Sequence, residues 1–318
     1  GGSSLATVAR VSFRHLSEAM AAAEDGDRIL LLRGIHNGCS QSVTVDKRVL
    51  ISGEGDLGDA TIDFRGNSPV LRIVRSAMLH NLFVDMSGFC SAVNVEGPAG
   101  LQPVIDHCKI VCSGDDALNV SGKAAPIVQD TVLKGEKRCG IRCWDGACPT
   151  LVNCRIEGCG QQGLKSFDGA AARARRCFVK GCGAEGAVAM GRSSLTLEDC
   201  TFSGNKGPGV DVSSRASARM ESCTVESNVG GVWGWNQARI EMSRCCIRGG
   251  RSFSMLMDED ASIECESTQI DGCVQATDHA WKGLFCPSNC LTNSDVNGDL
   301  PPPAPPFVYT PSPYTRGL

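Results

Sequence analysis

From Arg138 to Val229, apolar and polar positions alternate on a fixed 23-residue frame. Cut at that length, the stretch reads RCGIRCWDGACPTLVNCRIEGCG, QQGLKSFDGAAARARRCFVKGCG, AEGAVAMGRSSLTLEDCTFSGNK and GPGVDVSSRASARMESCTVESNV. Gly140, Gly163, Gly186 and Gly209 fill one column, and Cys154, Cys177, Cys200 and Cys223 fill another. One residue after the glycine stand Ile141, Leu164, Ala187 and Val210; three after it stand Cys143, Ser166, Ala189 and Val212. Strand side chains alternate faces, so these two positions point inward together. Further along, Leu195, Leu197, Cys200 and Phe202 step by two or three, and Ala218, Met220, Cys223 and Val225 repeat them. Gly, Ser, Asn and Asp separate the runs, and none keeps a helical period. Each line therefore holds two or three short strands and no helix. A repeat of this length is one unit of a stacked solenoid. The Leu-x-x-Leu-x-Leu frame of leucine-rich repeats is absent, which leaves the coil of a parallel β-helix. Parallel crossovers are right-handed, so the coil is expected to be right-handed too.

The same pattern divides the chain. Residues 1–11 read as a flexible leader. Residues 12–26 predict a short capping helix: Phe13, Leu16, Met20 and Ala23 share helical spacing, Ser12 stands at the N-cap, and Gly26 ends the segment. Such a cap covers the open first coil, which would otherwise expose a sheet edge. Residues 27–290 predict an all-β, single-stranded right-handed parallel β-helix of about eleven coils. In that frame Asn81 takes the position of the later cysteines, and Gly97 to Leu101 is a small insertion. Trp281, Leu284 and Phe285 are expected to cap the last coil. Residues 291–318 contain PPPAPPFVYTPSPYTRGL and read as a Pro-rich disordered tail.

Composition narrows the setting. A net charge of −4 argues against nucleic acid or an anionic membrane as partner. No apolar run reaches the ~20 residues of a membrane span. The first residues lack the apolar core of a signal peptide. They also lack an initiator Met, which suggests a fragment. Six of the 19 cysteines form a ladder with Thr131: Cys108, Thr131, Cys154, Cys177, Cys200, Cys223 and Cys245 share one inward position. Free Cys behaves as a small buried apolar residue. A ladder shared with Thr131 predicts reduced thiols and an intracellular protein, cytoplasmic or nuclear. No His or carboxylate recurs beside the column, so no metal and no cofactor is expected.

The entry segment SEAMAAAEDGDRILLLRGIHNG followed by VLISGEGD resembles the opening of pectin-lyase-type right-handed β-helices. The coil text SGNKGPGVDVSSRASARMESCTVESNVGGV resembles the β-helix repeat of F-box ubiquitin-ligase adaptors and of the Shc-binding spindle proteins. The resemblance spans roughly residues 12–275. It implies the fold, while the same coils serve polysaccharide enzymes and protein-binding modules alike.

Two features carry candidate chemistry. Gly114-Asp115-Asp116-Ala117-Leu118-Asn119-Val120 resembles the Gly-Asp-Asp motif of polygalacturonases, in which paired Asp residues activate water. The family's Asn-Thr-Asp is replaced here by SGFCSAV one coil earlier, and its His-Gly by Cys139-Gly140 one coil later. The plainer reading of Asp115 and Asp116 is a turn in which Asp bonds the local backbone. The second feature is a stripe two and four residues after the column glycine. Arg142, Trp144, Lys165, Phe167, Met190, Trp233 and Trp235 are expected to face solvent on successive coils. Trp and Arg are common interface anchors, so the stripe predicts a protein or peptide ligand along one solenoid face.

Three motifs are weaker. Asp295-Val296-Asn297-Gly298-Asp299 starts like a calcium loop but lacks its closing Glu. His279, Cys286 and Cys290 lack a fourth zinc ligand. Asn119-Val120-Ser121 is a glycosylation triplet inside a predicted strand. The sequence therefore points first to a non-catalytic recognition scaffold, as the substrate-binding part of a ubiquitin-ligase-like or cytoskeletal assembly. The alternative is a carbohydrate-active enzyme, glycoside hydrolase or polysaccharide lyase, using Asp115 and Asp116. An acidic-plus-basic cluster on neighbouring coils favours the enzyme, and an uncharged aromatic strip favours the binder.

Overall fold

The computed structural model describes residues 11–36, 42–248, 250–258 and 260–276, together with two short strands at 284–285 and 291–292. Residues 1–10, Trp281, His279, Cys286, Cys290, the Asp295–Asp299 segment and the Pro-rich tail beyond residue 292 lie outside the described residues. The chain forms an all-β parallel solenoid of three sheets, with 12, 12 and 11 strands. Successive strands of any one sheet lie a coil apart in sequence, and every pairing is parallel. Inward residues of the three sheets meet in one continuous apolar core. The positions one and three after the column glycine are buried in every coil from Ile141 to Val212, as the alternation predicts.

The glycine column has a steric cause. Gly186 has ordinary dihedrals, but a Cβ there would meet Gly209 O at 2.6 Å, Asn205 Nδ2 at 2.8 Å and Phe202 Cδ1 at 2.9 Å. Successive coils thus approach backbone to backbone at this corner, and only glycine leaves the room. Gly186→Ala is expected to destabilise the fold by about 1–3 kcal/mol through overpacking. Urea unfolding of the variant measures it; an unchanged midpoint would mean that the coils separate freely here.

The cysteine column turns a tight corner between the first and second sheets. From His80 to Gln269 this corner is two residues long. Its first residue is left-handed in nine successive coils: Asn81, His107, Asp130, Asn153, Arg176, Asp199, Ser222, Arg244 and Ser267. The second residue is Cys or Thr in most coils. Cys154 Sγ donates to Val152 O at 3.4 Å and to Val128 O of the preceding coil at 3.3 Å. Thr131 Oγ1 donates to Gln129 O at 2.7 Å. A small side chain with one donor suits both demands, which is why Thr131 and Thr268 replace Cys without disturbing the stack. Cys108, Cys154, Cys177, Cys200, Cys223 and Cys245 are buried and carry no disulfide. Burial pushes the Cys108 thiol up to about 12, so it stays protonated and inert. The frame differs from expectation at one rung. Leu82, not Asn81, fills the column there, and Asn81 takes the left-handed corner.

The helix runs Leu16–Ala22, shorter than the predicted 12–26. His15 rather than Ser12 is its N-cap, and Glu18 Oε2 accepts from the His15 backbone N–H at 3.2 Å. Leu16, Met20 and Ala23 are buried over the first coil, whereas Phe13 lies before the helix and is exposed. Lys47 Nζ donates to Met20 O at 2.6 Å and Ala21 O at 3.0 Å, meeting the carbonyls that the helix end leaves open.

Candidate active site

The third sheet carries the candidate chemistry. Its strands Val93–Glu96, Leu118–Ser121, Ile141–Cys143, Leu164–Ser166, Ala187–Ala189, Pro208–Val212 and Gly230–Gly234 stack in register. Asn119, Arg142, Lys165, Val188, Asp211 and Trp233 are therefore consecutive members of one row. The corner entering this sheet supplies Asp115 and Asp116, with Arg138 on the following coil.

Asp115 and Asp116 are adjacent in sequence and differ in setting. The Asp115 side chain keeps 22% of its surface exposed. Arg138 Nε lies 3.3 Å from its Oδ1, and Ser91 Oγ donates to Oδ2 at 3.4 Å. The Asp116 side chain is fully enclosed, at 0%. The Cys139 backbone N–H donates to its Oδ1 at 2.9 Å. Arg142 Nε stands 3.3 Å from its Oδ2, close enough to pair charges but not aligned as a hydrogen bond. Burial pushes the Asp116 carboxyl above its ordinary range, and Arg142 pulls the other way. The turn reading expected bonds within the turn. The structure instead places the Asp116 bonds between coils, to residues 23 and 26 positions ahead.

Aromatic rings flank the carboxylates on both sides. Asn119 Oδ1 accepts from Trp144 Nε1 at 3.0 Å and from Arg142 Nε at 3.3 Å, so one amide fixes both side chains. Trp144 and Phe167 stack with centroids 6.3 Å apart and planes at 9°. Lys165 Nζ sits 5.6 Å from the Phe167 ring centre. On the preceding coil Phe89 is 77% exposed, with Lys137 Nζ 6.0 Å from its ring. Sequence reasoning missed Phe89, Ser91, Lys137 and Arg138, because they come from corners where no column repeats. The two-residue spacing from Arg142 to Trp144 and from Lys165 to Phe167 was visible.

The stripe is less exposed than its alternation predicts. Trp144, Phe167, Met190, Trp233 and Trp235 are half-buried, and so are Arg142 and Lys165. Val188, in the same outward row, is only 2% exposed. The stripe is thus a partly covered face rather than an open strip. Asp211, in the same row, is 8% exposed. Burial chiefly, and then the nearby Glu185 charge, push its carboxyl up to about 8, while a hydrogen bond with the Trp235 side chain opposes the shift.

The right-handed β-helix region family matches residues 91–247 and 166–299, and the chain belongs to that family. No curated protein sequence matched. Three solved structures illustrate the likeness. The A-module of mannuronan C-5 epimerase AlgE4 from Azotobacter vinelandii superposes with a TM-score of 0.52 at 14% identity, over 83% of this chain and 73% of that one. The AlgE6 A-module of the same organism gives 0.51 at 13%, over 87% and 73%. The catalytic unit of a thermostable α-1,3-glucanase from Streptomyces thermodiastaticus gives 0.52 at 9%, over 87% and 63%. At these identities the likeness shows the fold, a right-handed parallel β-helix of the pectin-lyase type. All three are carbohydrate-active enzymes, and that finding overturns the expectation of a non-catalytic recognition scaffold. The geometry agrees with the correction, because this face carries paired acidic and basic groups rather than an uncharged aromatic strip.

Proposed function

We propose that the protein is a carbohydrate-active enzyme, a polysaccharide lyase acting on a uronate-containing polymer. The setting of Asp115 carries the reading. It is a solvent-reaching carboxylate with Arg138 and Arg142 on the next coil and Lys165 on the one after, while Asp116 is sealed beneath. Hydrolysis by two carboxylates needs both groups beside the glycosidic bond. Asp116 has no exposed surface, so it does not supply the second one. Elimination needs one base and a cationic site. Arginine and lysine side chains stabilise the enolate that forms when the proton next to a uronate carboxylate departs. Asp115 takes that proton. A carbon–carbon double bond forms as the bond between the linking oxygen and the carbon β to the carboxylate breaks, and solvent protonates the leaving oxygen. Asp116 holds Arg142 in place, and the Trp144–Phe167 stack offers a flat apolar face to the sugar ring.

Incubating the intact chain with polygalacturonate and with alginate tests the reading. Unsaturated, ultraviolet-absorbing fragments are expected from one of them. New reducing ends without that absorbance would mean hydrolysis, and altered sugar configuration at constant chain length would mean epimerisation. Two unchanged polymers would overturn the proposal.

A further inference from the structure

The pairing of an indole with a polar row member, seen beside Asp115, has a counterpart further along. Trp144 donates its indole N–H to Asn119, which sits two residues earlier in the frame of the preceding coil. Asp211 takes the place of Asn119 relative to Trp235, four coils further on. Asp211 is more than nine-tenths buried, and its Oδ1 has no hydrogen-bond partner in the protein. Trp235 meets Trp233 edge to face, with centroids 5.8 Å apart and planes at 78°. Trp233 is itself tied down, its Nε1 donating to Phe253 O at 3.3 Å. Its ring also lies against Gly230, where any Cβ would clash with it. Trp233 is thus held at two points and buttresses the half-buried Trp235 on the outer face of the third sheet. Nothing in the chemistry at Asp115 uses them.

We propose that Trp235, buttressed by Trp233 and positioned by Asp211, is a distal subsite for the same uronate chain. The substrate then lies along the solenoid axis as a polymer. Strands in a sheet are about 4.8 Å apart, so the two anchored indoles are separated by about 19 Å. A sugar unit advances an extended polysaccharide by a distance comparable with the strand spacing. The distance between the two rings therefore corresponds to about four units. Rings fixed before binding lose little freedom on contact, so the far subsite adds affinity for long chains. This inference rests on the polysaccharide reading of the Asp115 site. Asp211 is a positioning residue, because it acts through the Trp235 ring.

Calorimetric titration of the full chain carrying Asp115→Asn, which slows turnover during the measurement, provides the test. The probes are galacturonate and mannuronate oligomers of short (about three-unit) and long (about seven-unit) length. In one series the long oligomer should bind at least about tenfold more tightly than the short one. Adding Trp235→Ala should abolish that gain and leave the Kd of the short oligomer unchanged. Asp211→Ala should also abolish it, while Asp211→Asn, which keeps an acceptor for the indole, should preserve it. Circular dichroism and melting of each variant separate these effects from misfolding. Equal binding of long and short oligomers, or equal weakening of both by Trp235→Ala, would overturn the distal subsite and leave the Asp115 site standing. If neither length binds in either series, both proposals fall.

Discussion

Asp115→Asn should lower turnover of the uronate polymer by about 10²–10⁴-fold, the usual contribution of a positioned general base. The carboxamide keeps the shape of the side chain and still accepts from Ser91, but it cannot take up a proton. Asp115 is partly exposed and the carboxamide keeps its shape, so folding should hardly change. Asp116→Asn should behave differently. The amide oxygen still accepts from the Cys139 N–H, but the charge facing Arg142 is gone. Its expected signature is weaker substrate binding through a displaced Arg142, with a smaller loss in the chemical step. Steady-state kinetics of the two variants, with melting curves alongside, separates the roles. Equal losses in both, confined to kcat, would mean that the two carboxyls act as one catalytic pair.

The second large effect is on stability and depends on pH. The Asp211 carboxyl is raised to about 8 in the folded chain from an ordinary value of 3.8. Between those limits the folded protein keeps a proton that the unfolded chain has released. Stability from this group is therefore greatest at low pH, falls as pH rises through the window, and levels off above about 8. The cost at alkaline pH is on the order of a few kcal/mol. Asp211→Asn removes it while leaving Trp235 an acceptor, as Asn119 does for Trp144. The variant should match the parent near pH 4 and exceed it increasingly towards pH 8. Urea unfolding at several pH values measures the difference. A gap that stays constant with pH would mean that a cation neutralises Asp211 in the folded state.

The coil itself was legible because its demands recur. From Gly140 to Gly209 each rung has a glycine at the close approach, small or apolar inward residues one and three places on, and a small donor at the tight corner, so Gly186, Val210 and Cys200 announce themselves by position. Where a demand is met once, the sequence is quiet. Leu82 satisfies the column without the thiol that marks it elsewhere, which is why Asn81 looked like its occupant. The candidate site shows the same division. Asp115 and Asp116 stood out as a motif, but nothing in the local text says that one is exposed and the other sealed. That difference comes from Arg138, Cys139 and Arg142 a full coil later. Burial of Val188 and Asp211 in an outward row likewise depends on neighbouring coils and flanking corners, which alternation along a single strand does not register.

The two-residue corner between the first and second sheets also limits how this molecule can vary. From His80 to Gln269 it neither lengthens nor shortens, because its left-handed residue sets the handoff from one sheet to the next. The extra residues between Glu96 and Val104 fall instead where the chain leaves the third sheet. The missing residue between Asn228 and Gly230 falls where it enters. Both changes border the third sheet. One edge of the solenoid acts as a fixed spine, and the other two are free to be trimmed or extended a coil at a time. The walls around a bound chain can thus be recut without altering the pitch on which the rest of the structure depends.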